Sequence, residues 1–371
     1  MSEIEVVVVG VDHFNTLGII RSLGEIGVKP IAVILSEEKH RAWTLKSKYL
    51  NKELSCIANA DDLEKCLIKI GKTFKKMAYL IPSCDTAVKL LDDNKNSLEN
   101  YYLLPTIYGG NERLSKCLDK TFLAEKAAEV GFLVPETMSL FADDISQIEI
   151  AKKRFDGLYP LIIKEDNSAA GKNHTQIIES EDDLDKAFRE CGSDYVMVQQ
   201  FIIKDEELGI QGVGFGVDTT IIPGAIHKIR TSLDSMGSTT YAKLTNGVDL
   251  NLEKRCEALI QSLQYSGIFD IEVLRKGNEF YFIECNFRNG AYGYAYTRMG
   301  YNLPEIWISK TIPGKSRKES IHLINGFNDI KHIKAGNVGA LTWIRELLSA
   351  DVKLTGQFRD LAPLFYRLAF H

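Results

Sequence analysis

The chain has 371 residues, 45% of them apolar and 26% charged, and a formal net charge of −5. That length suits two or three subdomains, each with its own core, and the acidic balance argues against a general nucleic-acid binder, which needs a phosphate-facing surplus of Lys and Arg. An acidic start running straight into Val6–Val9, no apolar run of membrane-spanning length, and seven scattered cysteines without a C-x-x-C pair predict a cytoplasmic protein with reduced thiols and no signal peptide or membrane contact.

Residues 4–9 form a short apolar run. Leu17, Ile20, Leu23 and Ile26 follow at helical spacing, then Gly27 and a second apolar run, Ile31–Leu35. Strand–helix–strand with continuously apolar strands predicts a parallel sheet covered on both faces. The pattern returns at Met77–Ile81, a helix near 85–98 and Tyr101–Leu104, so residues 1–113 are expected to form a Rossmann-like α/β domain. Gly10-Val11-Asp12-His13 has Asp where G-x-G-x-x-G needs its second glycine, which argues against a dinucleotide site. Asp12, His13 and Asp85 sit at strand carboxyl ends, where open α/β sheets bind ligands; alternatively, each caps the helix that follows.

The middle part, 114–200, opens with a helix from Leu118 to Ala128, stopped by Gly131. A strand at Leu161–Lys164, a loop of small residues at Asn167–Asn173, a strand at Thr175–Ile178, a helix over 181–190 and a strand at Tyr195–Gln199 follow. Between 201 and 315, strands near 210–217, 220–230, 268–274 and 279–287 join mainly by turns and predict an antiparallel sheet. The extension 316–371 has helical patterns around 341–349 and 359–368. Trp343 and the apolar run Leu361–Phe370 leave two packings open, on its own chain or on a second subunit in a homodimer.

The runs 271–275 and 279–288 flank a glycine-containing turn, a hairpin signal. Centred on Asn278, the hairpin puts Glu272 opposite Glu284, and strand alternation puts Glu284, Asn286 and Arg288 on one face. Two carboxylates roughly 5 Å apart across a hairpin repel unless a cation lies between them. Two Glu and an Asn amide oxygen are hard ligands that suit Mg²⁺, which keeps water or phosphate in the rest of its shell. Arg288 would then offer a fixed fork to phosphate oxygens. A solvated, charge-decorated hairpin is the alternative.

Glu272, a gap, and Glu284-Cys285-Asn286-Phe287-Arg288 resemble the metal-binding end of the ATP-grasp superfamily, and Glu279–Glu284 is similar to the corresponding stretch of biotin carboxylases and carbamoyl-phosphate synthetases. The resemblance runs from about Val6 to about Pro304 and rests on the order of motifs. It implies an ATP-grasp fold behind a pre-ATP-grasp domain. Of the two phosphate-contacting lysines of that family, the first matches Lys120 in Asp119-Lys120 ahead of Gly131–Pro135, and the second Lys164 ahead of the 167–173 loop, where Ala170 and Gly171 would approach phosphate. That loop is not a Walker A motif, because Asn173 follows Gly171-Lys172. Gln199-Gln200-Phe201-Ile202 resembles the adenine hinge, with Glu206 or Glu207 for the ribose; Gln199 stands where many members carry Glu. His227-Lys228-Ile229-Arg230 resembles the Lys-x-Arg strand of carboxylate–amine ligases, whose two cations would hold a carboxylate or the transferring phosphoryl group.

The resemblance therefore implies an ADP-forming ligase that uses ATP and Mg²⁺, with a small carboxylate and an amine as substrates. The Gly10–Arg21 stretch and the Lys-x-Arg strand favour the amino-acid and D-aspartate ligase type. Bicarbonate activation, as in a carboxylase or carbamoyl-phosphate enzyme, is the alternative, and a catalytically silent nucleotide-binding protein is the third reading.

Overall fold

Val6–Gly10 is fully buried and four of its five residues are valine, a β-branched run suited to a central strand covered on both faces. In the computed structural model, which describes residues 4–37, 41–108, 113–141, 144–165, 175–190, 195–233, 238–311, 314, 316 and 318–370, it is the middle strand of a five-stranded parallel sheet. The order is Cys56–Ala58, Ile31–Leu35, Val6–Gly10, Ala78–Pro82, Tyr102–Leu103, which confirms the Rossmann-like expectation. Strand order reverses between Val6–Gly10 and Ala78–Pro82, the switch point at which such sheets open a crevice. Thr16 Oγ1 lies 2.6 Å from Ser83 Oγ across that point. A Cβ on Gly10 would fall 1.7 Å from Ser83 Oγ, so close packing alone accounts for the glycine. The helix expected near 85–98 is broken at Asn94 into Asp85–Asp93 and Lys95–Leu98.

The middle part folds as an antiparallel sheet in the order Thr137–Phe141, Tyr195–Gln200, Leu161–Glu165, Thr175–Ile178. Helices Ile145–Arg154 and Glu181–Glu190 cover it, with Leu140, Ala151, Phe155, Leu184 and Val196 in its core. Helix Lys120–Glu129 precedes it. Asp119 caps that helix by accepting from the N–H groups of Thr121 and Phe122, and Gly131 follows its end at φ +90°.

The third sheet runs Glu279–Asn286, Tyr265–Lys276, Glu206–Phe215, Gly224–Thr231, Thr239–Asn246, Ser320–Ile324, Val352–Lys353. It is antiparallel, as expected, up to the last pair, which is parallel. Thr106–Ile107 also joins it, against Tyr265–Ser266. Residues 320–324 and 352–353 thus continue the same sheet, so the segment from 316 onward is no detached extension and packs on its own chain. Its anchor is Arg21, which donates to Asp360 Oδ2 at 3.0 Å and to the carbonyls of Leu354 and Thr355 at 2.8 Å, with Arg21 and Asp360 side chains 1% exposed. Arg21 is therefore committed to holding the tail. The Gly10–Arg21 stretch, read from sequence as a ligase feature, is in this respect a packing feature.

Candidate active site

Alternation fixes which residues of the large sheet share a face. Glu272 pairs with Gly209, Asp270 with Gln211, and Leu208 with His227. Glu207, Gln211, Lys228, Asp270, Glu272, Glu284 and Asn286 therefore lie on one side, while Leu208, Ile210, Ile271, Val273 and Cys285 fill the core on the other. Helix Lys120–Glu129 and helix Leu250–Ser262 contribute to that core, which gives the polar face a rigid backing.

The hairpin reaches its expected pairing by a different route. The turn is Gly277-Asn278, with only Gly277 at positive φ, the pattern of a type II′ turn. This pairs Lys276 with Glu279 and Val273 with Phe282, one position off a centre at Asn278. A bulge then takes up Ile283 and shifts the register, so that Glu272 meets Glu284 and Asp270 meets Asn286. Bulges re-aim side chains beside active sites; this one turns both glutamates to the same side.

Lys228 brings a cation to Glu272, which it bridges to Glu207. Its fully buried ammonium donates to Glu207 Oε1 at 2.5 Å and to Glu272 Oε2 at 2.7 Å, and Lys204 pairs with the other oxygen of Glu207. Asn286 Nδ2 donates to Glu284 Oε1 at 3.0 Å, and Asn286 Oδ1 accepts from Arg288 Nη2 at 3.2 Å. Arg288 also forks onto Asp85 at the switch point of the first sheet, at 2.9 and 3.1 Å. Asp85 thus caps nothing with its side chain; it orients Arg288. Asp12 likewise does not cap the helix after it. It accepts from the N–H groups of Trp43 and Thr44, while His13 is the N-cap of helix Phe14–Glu25.

Burial sets the electrostatics. It raises the Glu272 carboxyl to about 7; Lys228 opposes this, and Glu284 and Asp270 reinforce it. Asp270 is raised to about 6 by burial, against the pull of Arg288 and Lys228. Burial also pushes Glu207 upward, but Lys228 and Lys204 outweigh it and hold that carboxyl below its usual range. Burial lowers Lys228, but Glu272, Tyr292 and Glu207 more than compensate, so the ammonium stays charged.

The donor set fits a divalent cation. Among the described residues nothing donates to Glu272 Oε1 or Glu284 Oε2, and both are hard oxygens. No group of three or more His, Cys, Asp or Glu among the described residues can enclose a metal. Glu272 and Glu284 offer two open carboxylate oxygens, which would leave the rest of an Mg²⁺ shell to water or phosphate. Asp270 and Gln211 belong to this face and were not singled out from sequence. The alternation Asp270-Ile271-Glu272 already carried the signal for the first.

Several other expected residues fall elsewhere. Arg230 does not join Lys228 at the carboxylates. A bulge at Ile229 separates the two, and Arg230 pairs with Asp329 and Glu346 at 2.7 and 2.6 Å while lying over the Tyr241 ring. Glu206 faces away from Glu207; its carboxylate meets His227 Nδ1 at 2.5 Å and Arg275 Nε at 3.0 Å. Glu207 is the acid on the site face. Lys120 is the exposed first residue of its helix. Lys164 lies on strand Leu161–Glu165 opposite Met197, in the middle sheet. Gln199 and Gln200 end the neighbouring strand, with Gln199 Nε2 donating to Thr137 at 2.8 Å, and Phe201 N–H donates to Pro160 O at 3.0 Å. Ile202 is buried just beyond. Ala170 and Gly171 lie outside the described residues.

Residues 126–300 match the family model of the ATP-grasp domain. Over that stretch, a little under half of the chain, the protein is similar to ATP-grasp domains. All of the hairpin, Glu207 and Lys228 lie within the matched stretch; Asp85, Lys120 and the tail lie outside it.

Solved structures repeat the ATP-grasp fold over most of the chain. The N5-carboxyaminoimidazole synthetase of Staphylococcus aureus superposes with a TM-score of 0.66 at 14% identity, covering 92% of this chain and 88% of that one. The N5-carboxyaminoimidazole synthase of Aspergillus clavatus, solved with ADP and 5-aminoimidazole ribonucleotide, gives 0.65 at 12%, covering 91% and 86%. Biotin carboxylase of Campylobacter jejuni gives 0.61 at 18%, covering 86% and 75%. At such identities the likeness is one of fold. A curated relative, the formate-dependent phosphoribosylglycinamide formyltransferase of Geobacter metallireducens, is 27% identical over 214 residues, or 56% of this chain; the chain spans about half (52%) of that relative's length. No helix among the described residues is long and apolar enough to cross a membrane.

Proposed function

We propose that this protein is an ADP-forming ligase of the ATP-grasp type. ATP phosphorylates a small carboxylate, an amine attacks the acyl phosphate, and an amide and inorganic phosphate leave. The observation that carries this reading is the bulged hairpin that presents Glu272, Glu284 and Asn286 beside Arg288, within the stretch similar to ATP-grasp domains.

Glu272, Glu284 and Asn286 would hold Mg²⁺, which neutralises charge building on the transferring phosphoryl group. Arg288 is positioned by Asp85 and Asn286 to steady the acyl-phosphate oxygens, its charge favoured by Asp85 against burial. Lys120 and Lys164 would position the ATP phosphates. Residues 199–202 would hold the adenine, and Glu207, the acid on the site face, the ribose. Lys228 keeps Glu207 ionised and holds Glu207 and Glu272 in place. Arg288 joins the hairpin to the switch point of the first sheet, so the substrate carboxylate is expected between the two.

A second reading, bicarbonate in place of an organic acid, draws on the fold likeness to a biotin carboxylase. Hydroxylamine trapping separates the two. With Mg²⁺, ATP and the correct acid, hydroxylamine should intercept the acyl phosphate as a stable hydroxamate. ADP release with bicarbonate alone, and no hydroxamate from any acid, would favour the second reading.

A further inference from the structure

The sequence separates Cys56 and Cys66 by nine residues and gives no hint of a pair, yet the fold brings their sulfurs to 3.4 Å. Cys56 opens the edge strand Cys56–Ala58 of the parallel sheet, and Cys66 lies on helix Leu63–Gly71, which folds back against it. Both are half-buried rather than sealed in the core, unlike Cys117, Cys256 and Cys285. A disulfide requires the sulfurs to approach to about 2.05 Å, a closure of about 1.4 Å that side-chain rotation at an edge strand can supply.

We propose that Cys56 and Cys66 are a redox modification site, closing to a reversible intrachain disulfide by exchange with a low-molecular-weight disulfide such as oxidised glutathione. This is independent of the ligase reading.

The chemistry is asymmetric. The two sulfurs share a hydrogen bond that either can donate, and this, with Lys69 one turn along the helix, lowers the Cys66 thiol to about 7 against burial and the opposing charge of Asp62. Cys56 is held protonated by the same hydrogen bond and by burial. Tyr102 also faces Cys66 from the strand Tyr102–Leu103 and is raised well above its ordinary value, so it stays neutral while the thiol titrates. The Cys66 thiolate attacks the external disulfide, a new S–S bond forms, and one glutathione thiolate leaves. Cys56 then gives up its proton to solvent and attacks Cys66 Sγ, expelling nothing but the second glutathione thiolate. Two protein thiols are oxidised and one external disulfide is reduced to two thiols.

The test uses the full chain, reduced and then incubated with oxidised glutathione, alkylated, and mapped by mass spectrometry after trypsin under non-reducing conditions. Cleavage after Lys65 separates the two cysteines, so a disulfide joins two peptides. The expected result is a Cys56–Cys66 crosslink that dithiothreitol reverses and whose formation rate rises with a midpoint near pH 7. Cys56→Ser should instead retain a mixed disulfide at Cys66, and Cys66→Ser should slow Cys56 modification about tenfold. Wild-type protein in which both cysteines are alkylated separately, or carry separate glutathione adducts, would overturn the proposal, as would a crosslink between two chains.

Discussion

Arg288 and Asp85 meet as two parallel hydrogen bonds, Nε to Oδ1 at 2.9 Å and Nη2 to Oδ2 at 3.1 Å, and so tie the metal hairpin to the switch point of the parallel sheet. The residues are 203 positions apart, and nothing local to either marks the other as its partner.

The first prediction concerns this fork. Asp85→Asn removes the charge that holds the guanidinium but keeps a side chain of the same size. Turnover should fall about 10–100-fold, the range seen when an orienting partner is lost, while Mg-ADP affinity measured by calorimetry stays at its wild-type value. Equal losses in both would mean that Asp85 supports the fold rather than Arg288.

Metal binding should depend on pH in a defined direction. Glu272 is raised from 4.5 to about 7, so between those values the folded metal-free protein holds a proton that the unfolded chain has lost. That contribution favours folding at low pH and fades as pH rises through the window. A divalent cation needs the same carboxylate ionised, so stabilisation by Mg-ADP should be small at pH 5.5 and larger at pH 7.5. In Glu272→Gln the Mg-dependent part of the thermal shift should vanish at both.

Arg230 gives a stability prediction rather than a catalytic one. Asp329 is fully buried and accepts from Arg230, Thr240 and Trp343. Asp329→Ala takes the buried acceptor from Trp343 and breaks the buried half of the Arg230 ion pairing, leaving Arg230 with Glu346, at a cost of about 3–5 kcal/mol in unfolding free energy. Below its melting range the variant should keep wild-type nucleotide affinity. A selective loss of substrate affinity would return Arg230 to the site.

His13 supplies an acid-side signature. Burial lowers it from 6.5 to about 4, with Arg288 and Arg367 opposing its charge. A depressed folded pKa means that its contribution is present above about 6.5 and is lost as pH falls toward 4. The slope from this group is at most about one proton, or 1.36 kcal/mol per pH unit. Denaturation of His13→Asn across pH 4–7 should show a shallower dependence than wild type.

What the sequence revealed and hid has physical causes. The parallel sheet was legible because its strands are apolar on both faces, and the 181–190 helix because its period is 3.6. Glu272 opposite Glu284 was found although the turn was placed half a residue off, because the bulge at Ile283 compensates. Bulges leave no mark in alternation, and a second one at Ile229 sent Arg230 away from Lys228. Strand Thr239–Asn246 was missed because most of it is polar, and its neighbour Ser320–Ile324 comes from a segment without chemical motifs. Long-range pairs such as Arg288–Asp85 and Arg21–Asp360 have no local signature at all.

The most direct measurement of the central claim is ADP release by the purified chain with Mg-ATP and pools of small carboxylic acids and amines, offered separately and together. Ligase chemistry predicts sustained ADP release with one acid–amine combination, an amide product in equal amount, and no sustained turnover when either partner is omitted. ADP release that needs bicarbonate and no organic acid, or none with any combination despite ATP binding, would contradict it.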